Sequence, residues 1–184
     1  KDNFKIALDK DSARLLYLLG KIKKVKNALE IGTGIGYSAM HLGLSCKKVV
    51  SIDKDKRNLE IARNFIKKSK LKNIKIIEGD ALAEISKLKE KFDLLFIDGT
   101  KKEYLKYLKL ALPKLNKGAL IIADNTISYK EKMKDFIGKI KQMPPVKSRV
   151  KREEREREVY SFEILEINGR DIMFESEVEA GTYI

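Results

Sequence analysis

The sequence predicts an α/β protein built around a doubly wound, mostly parallel β-sheet, and three observations carry this prediction. Short apolar segments alternate with helix-like segments between about residues 11 and 125. A glycine-rich turn follows the first strand-like segment, and an acidic residue stands at the end of each of five such segments. This alternation is typical of a parallel sheet that helices cover on both faces, because parallel neighbours need a long crossover connection.

Each element follows from its own pattern. The strands are predicted from short apolar runs, which are Asn27–Ile31, Lys48–Ile52, Ile74–Ile77, Phe92–Ile97 and Gly118–Ala123. The helices are predicted from apolar residues at helical spacing, in Ser12–Ile22, Tyr37–Leu44, Asn58–Lys68, Leu82–Leu88, Lys102–Leu115 and Lys130–Lys141. Pro113 is expected to stop the fifth of these helices, because proline cannot donate a backbone hydrogen bond.

Length and composition exclude several classes of protein. With 184 residues, 43% of them apolar, the chain can bury a core of its own. The longest apolar runs, such as Leu15–Leu19 and Ala119–Ala123, are too short to span a bilayer, and Lys1–Lys10 does not resemble a signal peptide. A single cysteine, Cys46, and a single histidine, His41, argue against a disulfide framework, a zinc site and a catalytic triad. The expected location is the cytoplasm.

The positive charge is unevenly distributed. Residues 138–184 hold 9 Lys or Arg and 10 Asp or Glu, whereas residues 1–137 hold 31 and 17, a net charge of +14. A body this basic could attract phosphate-bearing partners such as RNA. A solvated lysine-rich surface explains the same composition, and no arginine-rich or aromatic stripe sharpens the nucleic-acid interpretation. Both interpretations stay open.

The acidic residues at the strand ends are expected to line one edge of the sheet. They are Glu30, Asp53, Asp80, Asp98 and Asp124. The carboxyl ends of parallel strands lie together, and ligands bind there, where the strand order reverses. One such aspartate alone would be interpreted as a helix N-cap, but capping does not account for five of them beside a glycine-rich turn.

The glycine-rich turn has the sequence Glu30-Ile31-Gly32-Thr33-Gly34-Ile35-Gly36-Tyr37-Ser38, so its spacing is G-x-G-x-G, not the G-x-G-x-x-G of dehydrogenases. With its preceding acid it resembles motif I of the class I S-adenosylmethionine-dependent methyltransferases, which have a Rossmann-like fold. Asp53 follows Gly32 by 21 residues, at a position where a carboxylate can accept hydrogen bonds from both ribose hydroxyls. Gly79-Asp80-Ala81 resembles the adenine-binding turn. The resemblance implies a set of S-adenosylmethionine-binding residues, namely Glu30, Gly32, Thr33, Gly34, Gly36, Tyr37, Ser38, Asp53, Gly79, Asp80, Ala81 and Asp98.

Three stretches are similar to the metal-dependent O-methyltransferases, which include catechol and caffeoyl-coenzyme-A methyltransferases. They are Ala28–Met40, Phe96–Tyr104 and Ile122–Asn125, and the resemblance covers roughly residues 5–137. In that family a divalent ion sits on an aspartate after the fourth strand and an Asp-Asn pair after the fifth, which implies Asp98, Asp124 and Asn125 as ligands here. Such oxygen ligands suit Mg²⁺, Ca²⁺ or another divalent ion. The alternative is that Asp124 caps a helix and Asn125 is a turn residue.

The same resemblance implies catalytic roles for Lys101 and Asp98. Lys101 follows Asp98 by three residues, where the catechol-type enzymes carry a lysine that acts as general base. An ordinary surface lysine explains this position equally well, since the chain is rich in lysine and Lys102 is adjacent. Tyr104 matches an aromatic residue near the family's site, although Tyr104 and Tyr107 also fit packing on a helix face.

The predicted function is metal-assisted methyl transfer from S-adenosylmethionine to a hydroxyl of a small, catechol-like acceptor. A metal favours an acceptor with two adjacent oxygens, because it lowers the pKa of the bound hydroxyl and fixes its direction. Two alternatives remain. One is methylation of hydroxyuridine in tRNA, which the basic body favours, and the other is a cofactor-binding remnant without turnover. No membrane partner is expected, and a homodimer is left open.

The last quarter of the chain does not continue this pattern. The run Q-x-P-P-x-K-S-x-V-K-R from Gln142 and the final E-A-G-T-Y-I from Glu179 resemble a segment of the dyskerin-type RNA pseudouridine synthases of archaea and eukaryotes. The catalytic aspartate of that family lies in a part that this segment does not include, so a working synthase is not expected. The predicted domains are therefore a methyltransferase domain, 1–137, and a synthase-like tail, 138–184.

The junction between the two patterns predicts an unusual origin. The sequence begins with Lys1 and stops after Ile184, directly before an arginine that the second family carries. The simplest expectation is a chimera or truncated product that is joined near Asp135–Ile140. Within the tail, Val159–Ile167 and Arg170–Val178 are joined by Asn168-Gly169, which predicts a type I′ turn. We expect a C-terminal β-hairpin appendage at the edge that the family's last strands would occupy.

Overall fold

A single β-sheet organises the described part of the chain. The structure, a computed structural model, describes residues 8–126, 128–141, 162–167 and 170–175. The strands are β1 (Asn27–Ile31), β2 (Lys48–Asp53), β3 (Ile74–Glu78), β4 (Phe92–Ile97), β5 (Leu115–Asp124), β6 (Phe162–Ile167) and β7 (Arg170–Glu175). The helices are α1 (Lys10–Ile22), α2 (Tyr37–Ser45), α3 (Lys56–Ser69), α4 (Ala81–Lys87), α5 (Tyr104–Ala111) and α6 (Lys134–Lys141).

The strand order in the sheet is β3-β2-β1-β4-β5-β7-β6. The first five strands are parallel, and the order reverses between β1 and β4. The carboxyl ends of these strands therefore lie along one edge, with a crevice where the connections diverge. The predicted Rossmann-like parallel sheet is confirmed.

Helices cover both faces of the sheet because neighbouring residues of each buried strand point to opposite sides. Ala28 and Val49 pack with α1 and α2 on one face, in a cluster that includes Leu16 and Leu42. Leu29 and Val50 pack with α4, α5 and α6 on the other face. Two separate cores result, and together they hold the strand ends in a rigid frame.

The boundaries of β1 and β4 agree with the prediction, but the predicted helix Lys102–Leu115 is wrong at both ends. Lys101–Glu103 form a 3₁₀ turn before α5, and α5 stops at Ala111, followed by a second 3₁₀ turn over Leu112–Lys114. Pro113 lies within the first two positions of that second turn, where its missing N–H is harmless. Leu115 is already extended and pairs with Phe92 of β4, so β5 begins earlier than expected.

The last two strands belong to the same sheet. β7 lies antiparallel to β5, with Ile122 opposite Phe174, and β6 lies antiparallel to β7. The predicted turn at Asn168-Gly169 lies outside the described residues, as do the two tail motifs, 142–152 and 179–184. Helix α6 crosses the predicted boundary at residue 137, and the division into two domains stays a prediction.

Within the described residues, no helix is both long and apolar enough to cross a membrane.

Candidate functional site at the carboxyl edge of the sheet

The turn between β1 and α2 packs directly against the end of β4. Gly32 has a φ of +98°, and a Cβ atom there would overlap the carbonyl oxygen of Asp98. Its N–H donates to the Ile52 carbonyl at 2.9 Å, so the turn is also tied to β2. Gly36, with a φ of +85°, brings the start of α2 against Ala62 of α3. Side chains at these two glycines would push the turn out of the crevice.

Asp53, at the end of β2, is oriented by this turn. Its Oδ2 accepts a hydrogen bond from the Gly34 N–H at 2.8 Å, and its Oδ1 accepts one from the Asp55 N–H at 3.0 Å. Asp53 is half-buried at the edge of the crevice. A half-buried carboxylate held by two backbone donors is suited to accept further hydrogen bonds from the hydroxyls of a ligand.

Glu30 is fully buried under the turn. Its Oε2 accepts a hydrogen bond from the Ser51 hydroxyl, and that hydroxyl lies 2.6 Å from Thr33 Oγ1. Burial raises the pKa of Glu30 to about 8, although hydrogen bonding to Ser38 and Ser51 opposes this shift. The negative charge of Asp98 raises the pKa further. Glu30 is thus held mostly as the neutral acid at neutral pH, and its Oε1 has no hydrogen-bond partner within the described residues.

Lys101 joins the ends of β4 and β5. Its Nζ donates to Asp98 Oδ1 at 2.8 Å and to the Tyr104 hydroxyl at 2.9 Å. The Tyr104 hydroxyl in turn donates to the Asp124 carbonyl oxygen at 3.3 Å. Burial, followed by the charges of Asp98 and Asp124, holds the pKa of Tyr104 well above its usual value, so it remains a neutral hydroxyl. The Lys101 side chain is only 17% exposed, which distinguishes it from an ordinary surface lysine.

The three residues implied as metal ligands lie at neighbouring strand ends. Ile97 of β4 pairs with Ala123 of β5. The next residue on each strand, Asp98 and Asp124, therefore lies across an interstrand spacing of about 4.8 Å from the other. Asp124 is 3% exposed, and its Oδ1 accepts the N–H of Asn125, which has a φ of +63°. The described residues include no cluster of three or more His, Cys, Asp or Glu side chains placed to hold a metal. Two carboxylates and an amide oxygen have the chemistry that Mg²⁺ or Ca²⁺ would need, and the role of these three residues as ligands stays a prediction.

Asp80 has a structural role at the start of α4. Its Oδ1 accepts the Leu82 N–H at 3.0 Å, so Asp80 is the N-cap of α4. Ala81 is buried at the start of the helix, and Gly79 passes close to Glu84. Their predicted contact with adenine stays a prediction, which the capping role of Asp80 does not exclude.

Tyr37 and Ser38 open α2 directly after the turn. The Tyr37 ring packs edge-on against His41, with 4.6 Å between the ring centroids, while Ser38 is buried beside Glu30. Both residues lie at the carboxyl edge, as the prediction requires, but their contact with a cofactor stays a prediction.

Two site residues were missed by sequence reasoning. Ser51 was visible as the one hydroxyl residue in an otherwise apolar strand segment, Val49–Ile52. Tyr129 gave no signal, because its position depends on the loop after β5. Its ring centroid lies 5.9 Å from Lys101 Nζ, which places an aromatic side chain beside the Lys101 ammonium.

Residues 2–158 match the family model of the O-methyltransferases. The chain belongs to the O-methyltransferase family. The catechol O-methyltransferase of Niastella koreensis is 31% identical over 130 residues, which cover 66% of this chain and 59% of that enzyme. The O-methyltransferase of Bacillus cereus, whose structure was solved in complex with SAH, shares the fold with a TM-score of 0.76. It is 23% identical, and the match covers 93% of this chain and 83% of that one.

A shorter part of this O-methyltransferase family member has a second relative. The Pyrococcus horikoshii protein named "Probable tRNA pseudouridine synthase B" is 62% identical over 52 residues, which cover 28% of this chain and 16% of that protein. Both predicted resemblances are therefore confirmed. The chain spans less than two thirds of the length of either curated relative.

Proposed function

We propose that the chain transfers the methyl group of S-adenosylmethionine to a hydroxyl of a small, catechol-like acceptor. The observation that carries this proposal is the juxtaposition of the glycine-rich turn with the Asp98–Lys101–Tyr104 cluster at the same edge of the sheet. The glycine-rich turn can hold a nucleoside, and the cluster offers a carboxylate and an amine beside it. Membership of the O-methyltransferase family supports the same reaction class.

The residues that would hold S-adenosylmethionine are the turn 32–36, Asp53 and the Gly79–Ala81 turn. Gly32 lets the turn pack against the Asp98 backbone, where a Cβ would clash, and Asp53 presents a carboxylate from the end of β2. The Bacillus cereus O-methyltransferase was solved in complex with SAH, the product of such a transfer, and its similarity of fold supports this assignment.

Asp98, Asp124 and Asn125 would hold a divalent ion. When bound, such an ion would acidify the acceptor hydroxyl and fix its direction. Among the chain's own residues, Tyr104 binds both the Lys101 ammonium and the backbone of β5, and so fixes the lysine relative to these ligands.

The transfer needs little more than alignment and removal of a proton. The acceptor oxygen forms a bond to the methyl carbon as the carbon–sulfur bond breaks, and S-adenosylhomocysteine leaves. Lys101 Nζ pairs with Asp98 as an ammonium, so it must first release a proton to solvent. The neutral amine then accepts the hydroxyl proton. Asp98 and Tyr104, at 2.8 and 2.9 Å, hold this nitrogen in place.

Methylation of catechol with labelled S-adenosylmethionine, in Mg²⁺ and in EDTA, tests the proposal. We expect turnover in Mg²⁺ only. Lys101→Met should lower kcat about 100-fold or more, since a general base contributes that much, without changing the affinity for S-adenosylmethionine. Lys102→Met removes the exposed neighbouring lysine and should stay within about twofold of the parent chain. Equal effects of the two substitutions would contradict the role of Lys101, and absence of catechol turnover would contradict the acceptor class.

Hydroxyuridine in tRNA is the second candidate acceptor. The net charge of +14 in residues 1–137 favours it, and so does the similarity of the tail to a tRNA pseudouridine synthase. The same assay with a hydroxyuridine-bearing tRNA in place of catechol separates the two acceptors. Binding of S-adenosylmethionine without turnover on either acceptor would instead support a cofactor-binding remnant.

A further inference from the structure

The five connections that lead from a helix into a parallel strand lie at the edge of the sheet opposite the candidate site. They are residues 23–26, 46–47, 70–73, 88–91 and 112–114. Nine of their residues are lysines and one is acidic, Glu90; the lysines are Lys23, Lys24, Lys26, Lys47, Lys70, Lys72, Lys89, Lys91 and Lys114. We call this row of lysines the basic edge.

The lysine content of the whole chain does not explain the basic edge. The connections from strand to helix, at the site edge, are residues 32–36, 54–55, 79–80, 98–103 and 125–133. They hold five lysines and five acidic residues, a balanced set. The basic edge therefore carries a large excess of positive charge, whereas the connections at the site edge carry none.

Local bonds account for only part of the basic edge. Lys91 Nζ donates to the Pro113 carbonyl at 2.5 Å, and Lys114 Nζ donates to the Leu88 carbonyl at 2.6 Å. These two lysines bind the carbonyls of neighbouring connections. Glu90 accepts a hydrogen bond from Lys48 Nζ at 2.7 Å, so its charge is already compensated from within β2. The other seven lysines are all exposed.

The strand order arranges the connections in a row. The sequence of strands β3-β2-β1-β4-β5 places residues 70–73 at one end, 46–47, 23–26 and 88–91 between, and 112–114 at the other end. Neighbouring strands are about 4.8 Å apart, so the row is roughly 19 Å long. A nucleic-acid strand in a duplex carries one phosphate per about 3.4 Å of axis, and a row of this length could contact about five of them.

We propose that the basic edge binds the sugar-phosphate backbone of a nucleic acid at a surface separate from the methyl-transfer site. The parallel strands of 5 to 10 residues lie between the two edges, and a rise of about 3.3 Å per residue separates them by roughly 16 Å or more. Nucleic acid on the basic edge therefore does not compete with S-adenosylmethionine. Contacts to phosphate carry no base information, so single-stranded RNA and DNA should bind alike.

An anionic lipid surface is the competing partner. Ile22 and Leu44 are 74% and 55% exposed at the ends of α1 and α2, and such side chains could enter a bilayer interface. They lie beside only two of the five connections, whereas the lysines extend along the whole row. The distribution of charge therefore favours a linear polyanion.

Two matched quadruple variants test the proposal in the full chain. Lys23→Ala, Lys47→Ala, Lys72→Ala and Lys89→Ala together remove one exposed lysine from each of four connections. The control combines Lys10→Ala, Lys106→Ala, Lys130→Ala and Lys134→Ala, four exposed lysines elsewhere, and so makes the same change in net charge. Fluorescence anisotropy with labelled single-stranded RNA and DNA of about 20 nucleotides, from about 50 to 200 mM salt, gives affinity and its salt dependence.

We expect the basic-edge variant to bind at least about tenfold more weakly at low salt, with a log–log salt slope smaller by about 3, because four phosphate contacts are lost. The control variant should keep the parent slope, and S-adenosylmethionine should bind to all three proteins alike. Thermal melting checks folding, and the two double variants, Lys23→Ala with Lys47→Ala and Lys72→Ala with Lys89→Ala, replace the quadruple variant if it melts early.

The proposal is overturned if both quadruple variants lose equal affinity, since net charge alone would then be responsible. Unchanged binding by the basic-edge variant overturns it as well. So does co-sedimentation of the parent chain with phosphatidylserine vesicles when RNA and DNA do not bind. These outcomes are independent of whether the chain methylates catechol.

Discussion

At the scale of single residues, Glu30 is the most unusual group of the site. A carboxyl with no solvent contact is costly to ionise, and its hydrogen bonds to serine hydroxyls only partly offset this cost. Its second oxygen, Oε1, has no hydrogen-bond partner in the described part of the chain. The neutral acid joins β1 to β2 through Ser51 and Thr33, and so supports the turn from below.

The stability of the protein should therefore fall as Glu30 is forced to ionise. The unfolded chain releases this proton near the ordinary pKa of 4.5, whereas the folded chain keeps it up to about 8. Between these two pKa values the folded state binds more protons than the unfolded state. The contribution of the neutral Glu30 to stability is therefore complete below the unfolded pKa, falls as pH rises, and is lost once the pH passes the folded pKa. Each unit between the two pKa values corresponds to about 1.4 kcal/mol, an upper limit for a relaxing site.

Denaturant unfolding of the parent chain and of Glu30→Gln, at several pH values from about 5 to 9, measures this loss. Glutamine is close in shape and cannot ionise, so the difference in unfolding free energy between the two chains isolates Glu30. We expect the parent to lose stability relative to the variant as pH rises. A difference that does not change with pH would show that Glu30 ionises normally.

A second prediction at this scale concerns Asp53. Asp53→Asn keeps the shape but removes the charge at the end of β2, and charge-assisted hydrogen bonds are worth about 1.5–3 kcal/mol. We expect S-adenosylmethionine to bind about 10- to 100-fold more weakly by calorimetry. Asp55→Asn is the matched control, because Asp55 caps α3 and asparagine caps equally well. If both variants bind as the parent does, Asp53 does not contact the ligand.

At the scale of elements, the turn between β1 and α2 determines the shape of the crevice. Gly32 and Gly118 are both in the positive-φ region, at +98° and +75°, but have very different surroundings. A Cβ at Gly32 meets the Asp98 carbonyl, whereas a Cβ at Gly118 has no heavy atom of the described residues within 4 Å. The pair therefore separates displacement of the turn from β4 from the effect of backbone strain alone.

Gly32→Ala should abolish detectable binding of S-adenosylmethionine and lower the melting temperature, because the turn must move away from β4. Gly118→Ala carries only the strain of a positive φ, about 1–2 kcal/mol, and should bind the ligand normally. Calorimetry and thermal melting of the two variants check this. Retained affinity in Gly32→Ala would place the ligand elsewhere.

At the scale of the whole molecule, the sequence was informative where local pattern determines structure. β1 and β4 were predicted to the residue, because each is an apolar run between clear turn signals. The end of α5 was misplaced, since a 3₁₀ turn around Pro113 and the pairing of Leu115 with Phe92 depend on the neighbouring strand. The burial of Glu30, its bond to Ser51 and the place of Tyr129 arise from tertiary packing, which no local pattern encodes.

Local sequence pattern also does not predict the order of the last strands, β5-β7-β6. This order has a consequence for the tail. A chain that ends at Lys141 lacks β6 and β7, and so leaves the backbone groups of β5 from Ile122 to Asp124 unpaired. Unpaired edges promote association. We expect a melting temperature lower by at least about 5 °C and larger species in size-exclusion chromatography.

A chain that ends at Glu175 keeps both strands and is the control for this truncation. It should melt close to the parent chain and elute at the same volume. If the chain ending at Lys141 behaves like this control, the pairing of β7 with β5 contributes little, and the tail is dispensable for the sheet.

Every functional proposal made for the carboxyl edge depends on binding of S-adenosylmethionine in its crevice. Isothermal titration of S-adenosylmethionine into the full chain, in EDTA and then in Mg²⁺, is the decisive experiment. We expect one binding site in both conditions, because the proposed site consists of the glycine-rich turn and Asp53 and needs no metal. Absence of binding to a chain that melts cooperatively would show that the crevice is not a site for this cofactor.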